Sequence, residues 1–419
     1  MLRQADSECA CYPFHACCGL SCFLMFHYYH CARQLQYKSP ICYIVYMPKV
    51  IVGMSGGVDS SVTAYLLKER GYDVEGVSFR LYEPESPEAC ASCCSSRAVE
   101  EAFKTAQHLG IPHMTIDARK DFVDRVIGPF VDAYLKGATP NPCILCNRHI
   151  KFPYLMREAA SRTADFISTG HYARVEKTGR EDMEMFSLKK GVDQRKDQSY
   201  VLYVLNQEQL SRLILPLGNL TKDAVKKMAG NLKLPSAGKD ESQEICFVED
   251  RRYRRFIEER IPGAAVPGPI VDAEGRVIGT HSGICSYTIG QRKGMGISSP
   301  EPLYVIRIDA QHNTVYAGPR EAAVKSEFHV GDLNWPDRSF ADRAGRTAAQ
   351  FRATVKVRST MKDQPATIYL SSLPSSPGVQ SSLSNSVRVV FDEPQWAPAQ
   401  GQSAVFFDQD VVIGGGIIL

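Results

Sequence analysis

The chain has 419 residues, with 49 Lys+Arg against 46 Asp+Glu, a formal charge of +3, 44% hydrophobic and 23% charged residues. That composition excludes a disordered or collagen-like protein, and at roughly 100–200 residues per domain it predicts two to four domains. No stretch reaches the ~18–20 uninterrupted apolar residues of a membrane-spanning helix, so no membrane partner is expected.

Residues 1–46 stand apart. Seven of the 14 cysteines lie there (Cys9, Cys11, Cys17, Cys18, Cys22, Cys31, Cys42), beside an apolar run, Phe23 to Tyr29, that has no helical or strand period. The segment lacks the basic region and cleavage site of a secretory signal. One reading is a Cys-rich metal-binding arm. The favoured one is an atypical extension before a working start at Met47, whose removal leaves activity unchanged. The other seven thiols then belong to a reducing cytoplasm, where clustered cysteines point to catalysis or metal.

From Lys49 the pattern is regular. Val50 to Val52 is an apolar run suited to a buried parallel strand, followed by a Gly-rich turn and a helix from Ser60 to Arg70. Asp73 to Phe79 predicts a second strand, Ala98 to Leu109 a helix, and His113 to Asp117 a third strand. A helix from Asp121 to Leu135, capped by Asp121, comes next. A Pro-rich loop leads to a helix from Ile150 to Ala160 and a fourth strand from Asp165 to Ser168. This alternation predicts an α/β doubly wound parallel sheet, with ligands beyond the carboxyl ends of its strands. After about residue 250 clear helices stop. Four strand-like runs at Ala353–Arg358, Ala366–Leu370, Val387–Phe391 and Ser403–Phe407 predict a small antiparallel barrel. Residues 371–386 are Ser-rich and read as a mobile loop. The expected domains are 47–250, a small linking unit at 251–325, and a C-terminal β-barrel at 326–419.

Gly53-Met54-Ser55-Gly56-Gly57-Val58-Asp59-Ser60 falls between the first strand and its helix. Two glycines let the backbone approach a ligand, and the helix offers unpaired N–H groups, which together make an anion cradle. The Gly-Lys-Ser/Thr of a Walker A loop is missing. Thr139-Pro140-Asn141-Pro142-Cys143-Ile144-Leu145-Cys146-Asn147 holds a lone CxxC, open to zinc, redox or structural readings, with no second CxxC at zinc-finger spacing. Cys146, near a helix start and close to Arg148 and Lys151, is a candidate reactive thiol. Cys246 follows 100 residues later.

These strings occur in order with Ser168-Thr169-Gly170-His171-Tyr172, Lys196-Asp197-Gln198-Ser199-Tyr200, Gly290-Gln291-Arg292-Lys293-Gly294 and Gly401-Gln402-Ser403-Ala404-Val405. The combination closely resembles the tRNA-specific 2-thiouridylases, the MnmA family, from about Lys49 to Leu419. The loop alone is similar to that of enzymes that split ATP to AMP and pyrophosphate.

The resemblance implies an ATP-dependent sulfurtransferase that replaces the 2-oxygen of the tRNA wobble uridine, in Lys, Glu and Gln acceptors, by sulfur. It implies ATP with Mg2+ held by Gly53 to Ser60, with Asp59 near the pyrophosphate and with Phe79 and Gly170 at the adenosine. Asn141, Pro142 and Cys143 would line the pocket of the extruded base. Cys246 would carry a persulfide and Cys146 would act as nucleophile, closing a transient Cys146–Cys246 disulfide. His171, Lys196, Asp197, Gln198, Arg358, Ser359 and Gln402 would meet the tRNA, and a cysteine desulfurase or sulfur relay would be the donor partner.

Two positions depart from the family pattern. Many members carry an aspartate, a candidate base, where this chain has Cys143, and position 79 is commonly Met rather than Phe. Cys143 also raises a second mechanism, an iron–sulfur cluster on Cys143, Cys146 and Cys246, which is not preferred. Cys90, Cys93 and Cys94 form a CxxCC that is either incidental or metal-binding. Arg251, Arg252, Arg254 and Arg255 suit a phosphate site or a solvated helix face equally. The rival functions are another adenylating enzyme of the amidotransferase or tRNA lysidine synthetase type, for which the paired cysteines have no use, and a non-catalytic tRNA- or metal-binding relative.

Overall fold

The computed structural model describes residues 46–83, 96–178, 184–239, 245–248, 253–336, 350–370 and 386–419. Cys90, Cys93, Cys94, Arg251, Arg252, the Ser-rich stretch 371–385 and residues 1–45 lie outside them. The chain begins β1 (Lys49–Gly53), α1 (Val58–Glu69), β2 (Asp73–Arg80), α2 (Ser96–Leu109), β3 (His113–Asp117). It continues with α3 (residues 119–135), α4 (residues 142–161), β4 (Phe166–Thr169), β5 (Ala173–Thr178), β6 (Met185–Lys190), β7 (Leu213–Ile214) and α5 (Lys222–Asn231).

Five of these strands form one parallel sheet in the order β3-β2-β1-β4-β7. β1 is central, which is why Val50, Ile51 and Val52 are each fully buried. Successive strands run from β1 toward β3, and the chain then crosses to β4 on the other side of β1. The crevice between β1 and β4 is therefore the switch point at which a doubly wound sheet accepts ligands.

Four helix starts come earlier than the pattern-based expectation, α1 at Val58 rather than Ser60, α2 at Ser96 rather than Ala98, and those of α3 and α4. α3 begins at Arg119, because Asp117 takes the Arg119 N–H at 3.1 Å and opens the helix two residues early. Asp121 is not its cap; its carboxylate accepts a 2.8 Å bond from the Tyr154 hydroxyl. α4 begins at Pro142, eight residues before Ile150, and passes through a π turn at Asn147–Lys151. Asn141 caps it, accepting from the Cys143 N–H at 3.1 Å, with Pro142 in the first turn. Cys143, rather than Cys146, occupies the helix's N-terminal turn.

Among the described residues one α-helix follows residue 250, α6 (Tyr253–Arg260), at the arginine run for which a solvated helix face was one of the two readings. Only Phe256 and Ile257 are buried in it, so its apolar stripe is too thin to show as a period. Arg254 and Arg255 pair with Glu258 and Glu259 one turn on, as on a solvated face. A four-stranded sheet follows, β8 (Gly268–Val271), β9 (Val277–His281), β10 (Tyr304–Asp309) and β11 (Thr314–Gly318), ordered β10-β11-β8-β9.

The C-terminal strands are β12 (Val324–Asn334), β13 (Gln350–Lys356), β14 (Gln364–Leu370), β15 (Val387–Trp396), β16 (Ser403–Asp408) and β17 (Val411–Ile418). They run β12-β15-β14-β13-β16-β17, and β17 pairs back onto β12, closing a six-stranded barrel. The β5–β6 hairpin extends this barrel through Lys189 opposite Val411. Arg174–Asp410 at 2.6 Å and Lys190–Asp363 at 3.0 Å reinforce that join. Residues 47–419 form one compact unit.

Candidate active site

The loop after β1 opens on the β1/β4 crevice. Gly56 has φ +71°, and a Cβ there would lie 2.3 Å from the Ala98 carbonyl oxygen, so α2 packs directly on the loop. Gly57 caps α1 without any side-chain hydrogen bond, which leaves the first-turn N–H groups unsatisfied by side chains. A triphosphate fits such an end, because oriented N–H groups and the helix dipole both favour an anion. Ser60 serves the loop itself: its Oγ accepts from the Ser55 N–H at 3.1 Å and donates to the Gly57 carbonyl at 3.2 Å. Met54 is a core residue whose carbonyl accepts from Ser78 Oγ at 2.7 Å.

Gly170 lies on the β4 side of the same crevice. A Cβ there would meet Ser60 N at 2.8 Å and Asp59 C at 2.9 Å. The glycine is required for strand-end packing against the loop, whatever else it contacts. Phe79, near the end of β2, lies edge-to-face with Tyr154 at 6.0 Å.

The loop's cations come from far along the chain. Lys222 Nζ is 2.7 Å from both Asp59 oxygens, and the Tyr172 hydroxyl donates to the same carboxylate at 2.7 Å. Lys239 donates to the Gly56 carbonyl at 2.9 Å and pairs with Glu101. Burial of Lys239 lowers its pKa, helped by nearby Arg97.

The segment before α4 is held by both other parts of the protein. A Cβ on Gly137 (φ +72°) would lie 2.6 Å from Ile308 Cγ2 of β10. The Thr139 N–H donates to the Gln400 carbonyl at 2.8 Å, and Gly401 (φ +87°) packs on Ala138 and Thr139. Gln402 is thus next in sequence to the residues that brace the Asn141-Pro142-Cys143 turn. Cys143 is exposed and Cys146 buried, while Cys246 is half-buried. Cys146 belongs to an apolar cluster with Phe122, Ile150, Phe247 and Cys285, and Cys246 packs against that cluster. Among the described residues no three His, Cys, Asp or Glu side chains are gathered so as to hold a metal ion.

The residues expected at the tRNA separate into two kinds. The Asp197 side chain is 5% exposed and is used inside its own turn, accepting from the Gly191 and Ser199 N–H groups and from Ser199 Oγ, with Lys356 at 3.7 Å. Gln198 accepts from the Tyr172 N–H at 3.0 Å. His171 stacks on Phe152 at 6.1 Å and bonds Thr169 Oγ1 at 2.8 Å. Burial, with Lys151 nearby, pushes its pKa down to about 3, so the imidazole is neutral at ordinary pH. Arg358 donates to the carbonyls of Ile289 and Ala397, each at 3.0 Å, stitching the central sheet to the barrel. Lys196 and Gln402 are half-exposed, and Ser359, Arg292 and Lys293 are exposed.

The sequence matches family models described as tRNA methyl transferase HUP domain over residues 48–250, tRNA methyl transferase PRC-barrel domain over 254–319, and aminomethyltransferase beta-barrel domain over 325–418. It is 45% identical over 373 residues to tRNA-specific 2-thiouridylase MnmA 1 of Caldanaerobacter subterraneus subsp. tengcongensis, covering 88% of this chain and 97% of that one. With MnmA of Acetivibrio thermocellus it shares 44% over 374 residues, covering 88% and 99%. With MnmA of Clostridioides difficile it shares 42% over 371 residues, covering 88% and 98%. The chain belongs to the tRNA-specific 2-thiouridylase (MnmA) family.

Membership in the MnmA family sets aside the amidotransferase and lysidine synthetase readings. It also frames what the motif-based reading missed. Lys222 and Lys239 stand 163 and 183 residues from their loop partners, so no local pattern marks them, and Tyr172, inside the quoted 168–172 string, was given no role. Asn141-Pro142 was the readable signal for the early start of α4.

Proposed function

We propose that this MnmA-family protein catalyses ATP-dependent 2-thiolation of the wobble uridine of tRNA. The observation that carries the reading is the convergence of Cys146 and Cys246, far apart in the chain, on one apolar cluster beside the braced 137–143 turn. ATP and tRNA are substrates. The 53–60 loop binds the triphosphate with Mg2+, which supplies charge neutralisation, and Asp59 is the loop's carboxylate for that ion. Phe79 and Gly170 border the adenosine.

The chemistry needs two steps, because a uracil carbonyl oxygen is a poor leaving group. In the first, the 2-oxygen attacks the α-phosphorus, pyrophosphate leaves, and the base is activated as its 2-O-adenylate with loss of the N3 proton. In the second, the terminal sulfur of a Cys246 persulfide attacks C2. Cys146 thiolate then attacks Cys246 Sγ, breaking the S–S bond and leaving the outer sulfur on C2 as AMP departs. A Cys146–Cys246 disulfide results, and an external dithiol returns two electrons. A sulfur-relay protein recharges Cys246.

Asn141, Pro142 and Cys143 line the base pocket, and Lys196, Gln198, Ser359 and Gln402 approach the tRNA. Asp197, His171 and Arg358 support that surface from within. The division at residues 250 and 325 into ATP-binding, linking and barrel domains, and a cytoplasmic location, belong to the same reading. Replacing Cys146 or Cys246 by serine is expected to abolish 2-thiouridine, measured by nucleoside mass spectrometry. Cys143→Ser is expected to retain a substantial part. Brown protein with visible absorption, and full loss in Cys143→Ser, would instead favour the cluster mechanism.

A further inference from the structure

The MnmA-type loop at 53–60 contains an aspartate and no lysine, so its own charge is negative where a triphosphate is expected. The fold answers this with Lys222. Its side chain is 6% exposed, whereas that of Asp59 is 34% exposed, so the ammonium lies behind the carboxylate. Lys222 is the first residue of α5, after the Thr221 cap, and its backbone N–H is fixed on Asp193 at 3.1 Å. A cation there opposes the helix dipole, and a lysine is seldom buried so fully. A buried ion pair is weak evidence of stability, so helix and core energetics alone do not account for its place. Tyr172, two residues past the Gly170 contact, bonds Asp59 from a third segment and lies under Lys222 Nζ at 5.6 Å from its ring centroid.

We propose that Lys222 is a positioning residue of the ATP site, neutralising Asp59 and, with Tyr172, aiming it at the mouth of the loop. This rests on the reading of residues 53–60 as the ATP loop. Without Lys222, the carboxylate faces the incoming triphosphate uncompensated and repels it. Without both charges, the repulsion disappears but the aimed carboxylate is also lost.

The test uses the full chain, with ATP affinity by calorimetry in buffer free of divalent cations, where Asp59 has no Mg2+ to hold, and AMP formation on unmodified tRNA transcript with Mg2+ present. Lys222→Met is expected to weaken ATP binding about tenfold or more, a shift that a single uncompensated nearby charge readily produces. Asp59→Asn combined with Lys222→Met is expected to restore ATP affinity to within about threefold of wild type while AMP formation stays lost. A purely structural lysine would lower the melting temperature of Lys222→Met and leave the ATP affinity of the folded protein unchanged. Should Lys222→Met fail to fold, Lys222→Gln replaces it with the same expectations. Unchanged ATP affinity in the single variant, or a double variant as weak as the single, overturns the inference. A wild-type chain that makes no AMP from ATP and tRNA overturns the functional reading instead.

Discussion

The Gly53–Ser60 loop and the turn before α4 are held in different ways. Residues 53–60 take their shape from a contiguous string between one strand and one helix, with Ser55, Gly57 and Ser60 bonding one another. Residues 137–143 take theirs from contacts with distant parts of the protein, Ile308 on one side and Gln400-Gly401 on the other. The first is bonded within itself and braced by residues of the doubly wound domain alone, Ala98, Tyr172, Lys222 and Lys239. The second exists only when the central sheet and the barrel are docked. ATP binding and base handling should therefore be separable by mutation.

The largest effect is expected at Gly56. Gly56→Val forces a Cβ into the Ala98 carbonyl at a left-handed backbone position, costing about 2–4 kcal/mol and all ATP binding. Thermal melts and calorimetry check this; retained ATP affinity would mean the loop is not the nucleotide site. Gly401→Val strikes the other region. It should leave ATP affinity within about twofold and cut 2-thiouridine formation at least about tenfold, the scale on which displaced groups lose catalysis. An equal loss of ATP affinity would erase the distinction between the two regions.

Arg358→Ala should be smaller, about 1–3 kcal/mol from two charge-assisted bonds to carbonyls, read as a lowered melting temperature. If Arg358 also touches RNA phosphate, log K against log salt flattens by roughly 0.9. His171 gives the most selective signal, absent at neutral pH and growing only on acidification. Its folded pKa of about 3 lies below that of an unfolded histidine, so between those values the unfolded chain holds the extra proton. Stability should thus fall as pH drops below about 6.5, by up to about 1.4 kcal/mol per unit from this residue. His171→Phe should flatten that part of the profile in urea titrations. An unchanged slope would place the imidazole in water.

This contrast also explains what could be read in the sequence. The parallel sheet, the loop and four of the six barrel strands were legible because each follows from local period and punctuation, as at Val50–Val52 and Gly53–Ser60, whereas β12 and the glycine-rich β17 were not. The ion pair Asp59–Lys222, the grip of Gln400 on Thr139 and the join of Lys189 to Val411 were not, because each links segments that only the fold brings together. Asp121 looked like a cap on composition, yet Asp117 had already opened that helix. Asp197 spends its carboxylate inside its own turn, and Arg358 gives one guanidinium nitrogen to two backbone carbonyls; neither bond is marked by residue type alone.

The central claim is that sulfur reaches uridine C2 through Cys246 after ATP-dependent activation. The most direct measurement is mass spectrometry of nucleosides from unmodified tRNA transcript incubated with ATP and full-length protein whose Cys246 has been loaded with a persulfide. One 2-thiouridine per AMP released and an inter-cysteine Cys146–Cys246 disulfide in the peptide digest are expected. AMP release without any oxygen-to-sulfur mass gain, or full thiolation by Cys246→Ser protein, would contradict that claim.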